Sequence, residues 1–102
     1  MATGFLGRAN LAAATDTLLF TAGATPQTFN VRFANRNASP VKVRVAIGVA
    51  GGGAPAVDEY VDYDVTVLAN GILEDTGLVA SSGEKVWVRS DTANVSVRAH
   101  GM

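Results

Sequence analysis

From residue 28 onward the chain alternates apolar and polar positions with a period of two. Phe29, Val31 and Phe33 alternate with Thr28, Asn30 and Arg32, and Val41, Val43, Val45 and Ile47 alternate with Lys42, Arg44 and Ala46. Val61, Tyr63, Val65 and Val67 alternate with Asp62, Asp64 and Thr66. Val86 and Val88 alternate with Lys85, Trp87 and Arg89, and Val95, Val97 and Ala99 with Ser96, Arg98 and His100. Successive strand side chains point to opposite faces, so each run predicts a strand with one face on a core and the other toward water or a partner. The β-branched and aromatic residues in these runs agree with that reading. Two further strands are predicted near residues 17–22 and 72–79. No window carries a helical stripe.

Turn chemistry separates the runs. Asn37-Ala38-Ser39-Pro40 lies between two strands, where Pro40 presets the backbone and lacks a ladder N–H. Asn70-Gly71 is a hairpin signal, because both residues tolerate positive φ. Ser81-Ser82-Gly83 and Asp91-Thr92-Ala93-Asn94 part the last three strands. Seven or eight short strands at this spacing predict an all-β fold, a single antiparallel β-sandwich of jelly-roll type. Residues 1–16 are rich in Ala and Gly and without clear period, and read as an N-terminal arm or edge strand ahead of a sandwich over 17–102. Residues 51–56 (GGGAPA) read as a flexible hairpin loop.

The length of 102 residues fits one domain, and the lack of cysteine excludes a disulfide framework. The formal net charge of −1 gives no bulk attraction to nucleic acid or an anionic membrane. No apolar stretch approaches the roughly 18 residues of a membrane helix, and residues 1–24 do not read as a secretory signal. Synthesis in a cytoplasm, with later assembly into a larger structure, is the expectation. Basic residues (Arg32, Arg36, Lys42, Arg44, Lys85, Arg89, Arg98) flank an acidic middle (Asp58, Glu59, Asp62, Asp64, Glu74, Asp75), a division that suits cross-strand or intersubunit pairing.

Constellations for catalysis are incomplete. The Gly51-Gly52-Gly53 run has no following Lys-Ser or Lys-Thr and opens no helix, so it is not a phosphate loop. Asp62 and Asp64 are expected on one outward face, roughly 7 Å apart. That spacing can suit a glycosidase pair or part of a calcium site, but pairing with nearby Lys or Arg is simpler. His100 is the single histidine, without a second imidazole for a metal or a G-x-S-x-G nucleophile for a triad. Neither cofactor nor metal is expected, and the chain reads as non-enzymatic. Trp87 and Tyr60 fall on faces opposite the core, as interface anchors, as packing beneath a loop or arm, or as a stacking platform for a sugar. The candidate interface residues are Phe5, Leu6, Arg44, Tyr60, Asp62, Asp64, Trp87 and Arg89.

Three segments carry a resemblance over about residues 10–101: LAAATDTLLFTAG, FANRNASPVKVRVAIG and EYVDYDVTVLANGILEDTGLVASSGEKVWVRSDTANVSVRAHG. Their order resembles small virion proteins of tailed bacteriophages. There a T-x-L-[FY]-T strand precedes N-R-x-x-x-x-V-x-V-R-[VL]-A-I, [DE]-Y-[VI]-x-Y-D-V, L-x-A-N-G-[IV]-L-E and S-x-G-E-K-V-x-V. The resemblance implies a structural protein of the virion, made in the bacterial host cytoplasm. It implies a capsid decoration (cement) protein first, with a tail-fibre or baseplate accessory module, or a host-carbohydrate-binding sandwich, as alternatives. The implied partners are the major capsid protein or other virion proteins and further copies of the chain, with a trimer favoured. The apolar pair Phe5 and Leu6 would let the N-terminal segment act as a tether.

Overall fold

In the computed structural model, residues 3–49 and 53–101 are described. They form eight strands: β1 (Gly4–Leu11), β2 (Thr17–Thr21), β3 (Gln27–Asn35), β4 (Val41–Gly48), β5 (Tyr60–Val67), β6 (Ile72–Ala80), β7 (Lys85–Ser90) and β8 (Val95–Gly101). A single 3₁₀ turn, Val57–Glu59, precedes β5. The strands make two four-stranded sheets, a front sheet ordered β1-β8-β3-β6 and a back sheet ordered β2-β7-β4-β5. All pairings between these strands are antiparallel, and the order is that of a jelly roll.

The alternation supplies the core. Phe29, Val31 and Phe33 from β3 meet Val41, Val43 and Val45 from β4, with Val86 and Val88 from β7 and Val95 and Val97 from β8. Phe20 closes edge-on against Phe29, with ring centroids 5.0 Å apart. β1 and β2 approach closely along one side of the sandwich, where a Cβ on Gly7 would lie 2.2 Å from the Leu19 carbonyl oxygen. β5 and β6 therefore share the opposite side. The segment read as an arm or edge strand contributes β1, with Leu11 in the core and Leu6 packed against it.

Two sequence expectations are corrected by register. First, the inner pairings β3–β8 and β4–β7 run without interruption, whereas each pairing to an edge strand is shifted. The extra residue always sits in the edge strand, as a β-bulge. In β5 this happens twice, and Asp64 takes a positive φ of 55°. Simple alternation therefore fails there: Asp62 lies opposite the core residue Val45, while Val61 and Tyr63, expected in the core, are exposed. Second, Asn70-Gly71 does form a turn, with Asn70 at φ 54°, but β5 and β6 pair with β4 and β3 rather than with each other. The turn crosses between sheets.

Trp87 lies on the outer side of the back sheet, as alternation predicts, since its neighbours Val86 and Val88 point into the core. Yet it is only 6 % exposed. It lies beside Ala46 on β4 and Leu18 on β2, and its Nε1 has no hydrogen-bond partner. Of the Gly51-Gly52-Gly53 run, the first two residues lie outside the described residues. The strands on either side of that loop, β4 and β5, pair as a hairpin.

Candidate interaction surfaces

The outer face of the back sheet gathers four of the sequence candidates. Arg44 on β4 donates through Nε to Asp64 Oδ1 at 2.7 Å and through Nη2 to Asp64 Oδ2 at 3.4 Å. Its guanidinium also stacks 4.0 Å from the Tyr63 ring centroid and 5.6 Å from that of Tyr60. The two tyrosine rings meet edge to face at 5.2 Å. Tyr60 donates its hydroxyl to Asp16 Oδ1 at 3.2 Å, and Arg89 on β7 pairs with Asp16 Oδ2 at 3.5 Å. Arg44, Tyr60, Asp64 and Arg89 thus form one network, completed by Asp16 and Tyr63.

Neither Asp16 nor Tyr63 was among the expected site residues. Asp16 belongs to a segment without period, and Tyr63 reaches the outer face only because the bulge at Asp64 turns it there. The network has electrostatic consequences. The Arg44 hydrogen bond holds the Asp64 carboxyl below its ordinary range, and Asp64 in turn raises the guanidinium. Burial, followed by the charge of Asp16, raises the Tyr60 hydroxyl.

Asp62 does not join Asp64. The bulge sends it to the inner side of β5, where Oδ2 is buried without a hydrogen-bond partner and burial raises its pKa. The two carboxylates expected to share a face therefore sit in opposed environments. Asp75 Oδ2 on β6 is likewise buried and unpartnered, and Asp75 lies opposite the core residue Val31. Trp87 is covered within the domain, so it and Tyr60 do not form an exposed two-ring platform. Phe5 is exposed on β1 of the front sheet, away from the network, and the guanidiniums of Arg8 and Arg98 lie over its ring.

Further exposed apolar residues lie on the two edge strands of the open side, with Tyr63 on the outer face of the back sheet and Ile72 and Val79 on the outer face of the front sheet. Along β5, its turn and β6, the large apolar residues Val61, Tyr63, Leu68, Ile72 and Val79 are each more than half exposed, Leu68 at 70 %. The turn beneath them is firmly held. The buried Asn35 side chain donates from Nδ2 to the carbonyls of Ser39 (2.9 Å) and Leu68 (3.1 Å). Its Oδ1 accepts the Asn37 backbone N–H at 3.0 Å. One amide thereby fixes the β3–β4 turn against the β5–β6 turn, a role that periodicity cannot reveal in a residue type common in loops. At the other end of β5, Glu59 accepts the backbone N–H groups of Val49 and Ala56, each at 2.9 Å, and so clasps the two ends of the glycine loop. Comparison of the chain with family models, curated proteins and solved structures returned no match.

Proposed function

We propose that this chain is a non-enzymatic structural protein of a bacteriophage virion, most specifically a capsid decoration protein that stabilises the expanded head. The observation that carries the reading is the exposed apolar side chain of Leu68 at the β5–β6 turn, with Ile72 and Val79 on the outer face of β6. Leu68 at the turn tied down by Asn35, with Ile72 and Val79 on the outer face of β6, are exposed apolar residues suited to a contact with another protein. The jelly-roll order adds support by analogy, since this architecture recurs in viral capsid proteins. The order of sequence motifs adds the specific link to tailed phages.

In this reading the chain acts as a homotrimer on the shell, and the major capsid protein is its partner. Repetition on a symmetric lattice lets a modest contact act collectively, and binding to the assembled state stabilises that state. The test is to mix the purified chain with expanded, undecorated capsids of the phage that encodes it. Saturable binding at a stoichiometry set by the lattice is expected, with weakening by Leu68→Asp. No binding sinks the decoration role, and labelling found only at the tail moves the chain to the tail or baseplate.

A further inference from the structure

The outer face of the front sheet carries three arginines in one cross-strand row. Arg8 on β1 lies opposite Arg98 on β8, and Arg98 lies opposite Arg32 on β3. Neighbouring strands are about 4.8 Å apart, so the three Cα atoms span roughly 10 Å. Like charges set directly opposite one another destabilise a sheet, so this row works against the fold. Arg32 is partly relieved by Glu74 Oε1 at 3.3 Å, from β6 at the end of the row. Among the described residues, Arg8 and Arg98 pair with no carboxylate.

The row borders a shallow groove of about 610 Å³ whose other lining includes Asn10, Ala34 and Ser96. Arg36 bonds to Asn10 at the same end and adds a fourth positive charge.

We propose that this groove binds an acidic segment of another protein, through carboxylates placed on the guanidiniums of Arg8 and Arg98. Ile72 and Val79 of β6 share this outer face, but the proposal rests on the arginines and does not depend on their role. Glu74 shows the chemistry within the molecule: a carboxylate already sits on one end of the row. An extended segment with acidic residues at alternate positions sets carboxylates about 6.6–6.8 Å apart on one face. Flexible guanidiniums on neighbouring strands can meet that spacing, and their planar forks favour carboxylates.

A second copy of the chain is poorly equipped to supply those carboxylates. Asp16, Asp64 and Glu74 are held by arginines, and Glu59, Glu84 and Asp91 by backbone N–H groups. Asp62 and Asp75 each bury an oxygen, which leaves Asp58 as the one uncommitted acid among the described residues. Nucleic acid fits less well, because the nearby Phe5 ring lies under Arg8 and Arg98 rather than open to a base.

The test is a titration of the full, isotope-labelled chain with an oligoglutamate peptide at low salt, followed by NMR. Saturable shifts are expected at the amides of β1, β8 and β3 around Arg8, Arg98 and Arg32. Arg8→Gln and Arg98→Glu should each weaken binding by about tenfold or more, while Lys42→Gln on the back sheet leaves it unchanged. Equal binding by both front-sheet variants in folded form, or shifts confined to other strands, overturns the proposal. Tighter binding of a charge-matched single-stranded oligonucleotide at the same amides also overturns it, in favour of a phosphate-reading groove.

Discussion

Trp87 illustrates how a side chain can leave the core face and still be buried. Its indole lies on the outer side of the back sheet and is 6 % exposed, so removing it opens a void rather than a surface. Trp87→Ala is expected to cost about 3–5 kcal/mol, the range for deleting a large buried ring. Urea denaturation measures this directly, and a loss below about 1 kcal/mol would show that the indole is not packed. The two aspartates flanking Tyr63 should separate in a carboxyl NMR titration, with Asp64 ionising below the ordinary value of 3.8 and Asp62 above it. A carboxyl raised in the folded state binds its proton more tightly there than in the unfolded chain. Its contribution is therefore most favourable below 3.8 and declines as pH rises through the folded value. Asp62→Asn should consequently stabilise the domain at neutral pH by about 1 kcal/mol, on the scale of relieving one partly buried unpaired group. The gain should vanish in melts run below the ordinary carboxyl value.

Among the elements, β1 is the least obvious from sequence, and Gly7 explains why it docks. The Cβ of an alanine there would press into the Leu19 backbone, which cannot swing aside as a long side chain can. Gly7→Ala should force β1 and β2 apart and lower stability by about 1–3 kcal/mol. Hydrogen exchange should locate the loss in β1 and β2, and uniform loosening of both sheets would contradict this picture. The strands whose positions were plainest in the sequence are β3, β4, β7 and β8. All four are interior and carry no extra residue of their own, so strict alternation maps onto one buried face. In β5 the same rule assigned Val61 and Tyr63 to the core and Asp62 to the outside, and two bulges reverse it. A bulge adds one residue without changing composition, so periodicity carries no warning of it. The candidate surface was legible through Arg44 on β4, Arg89 on β7 and Tyr60 and Asp64 on β5, whereas alternation placed Tyr63 of the same strand in the core. Asp16 was hidden because a nonperiodic linker delivers it.

On the scale of the whole molecule, the two sheets carry opposite electrostatic arrangements. The back sheet satisfies its arginines with Asp64 and Asp16, whereas the front sheet leaves Arg8 and Arg98 without carboxylates among the described residues. Reversing the central charge tests this imbalance as a matter of stability. Arg98→Glu replaces two like-charge contacts with two opposite-charge ones, each worth about 0.2–1 kcal/mol. It also removes the guanidinium over Phe5, worth about 0.5 kcal/mol at an exposed site. The balance favours a net gain of about 0.5 kcal/mol. Thermal unfolding at low and high salt should show a higher Tm than the parent, with the difference shrinking as salt screens it.

All four strands that border the two sheets carry a β-bulge. A bulged border is a poor template for a further strand from a neighbouring chain. Copies of this domain can therefore crowd together at high local concentration without their sheets fusing, and each remains a finished unit. Contacts between copies, or with a different protein, are then favoured through side chains over a shared ladder. An assembly built this way can gain or shed members without any of them refolding.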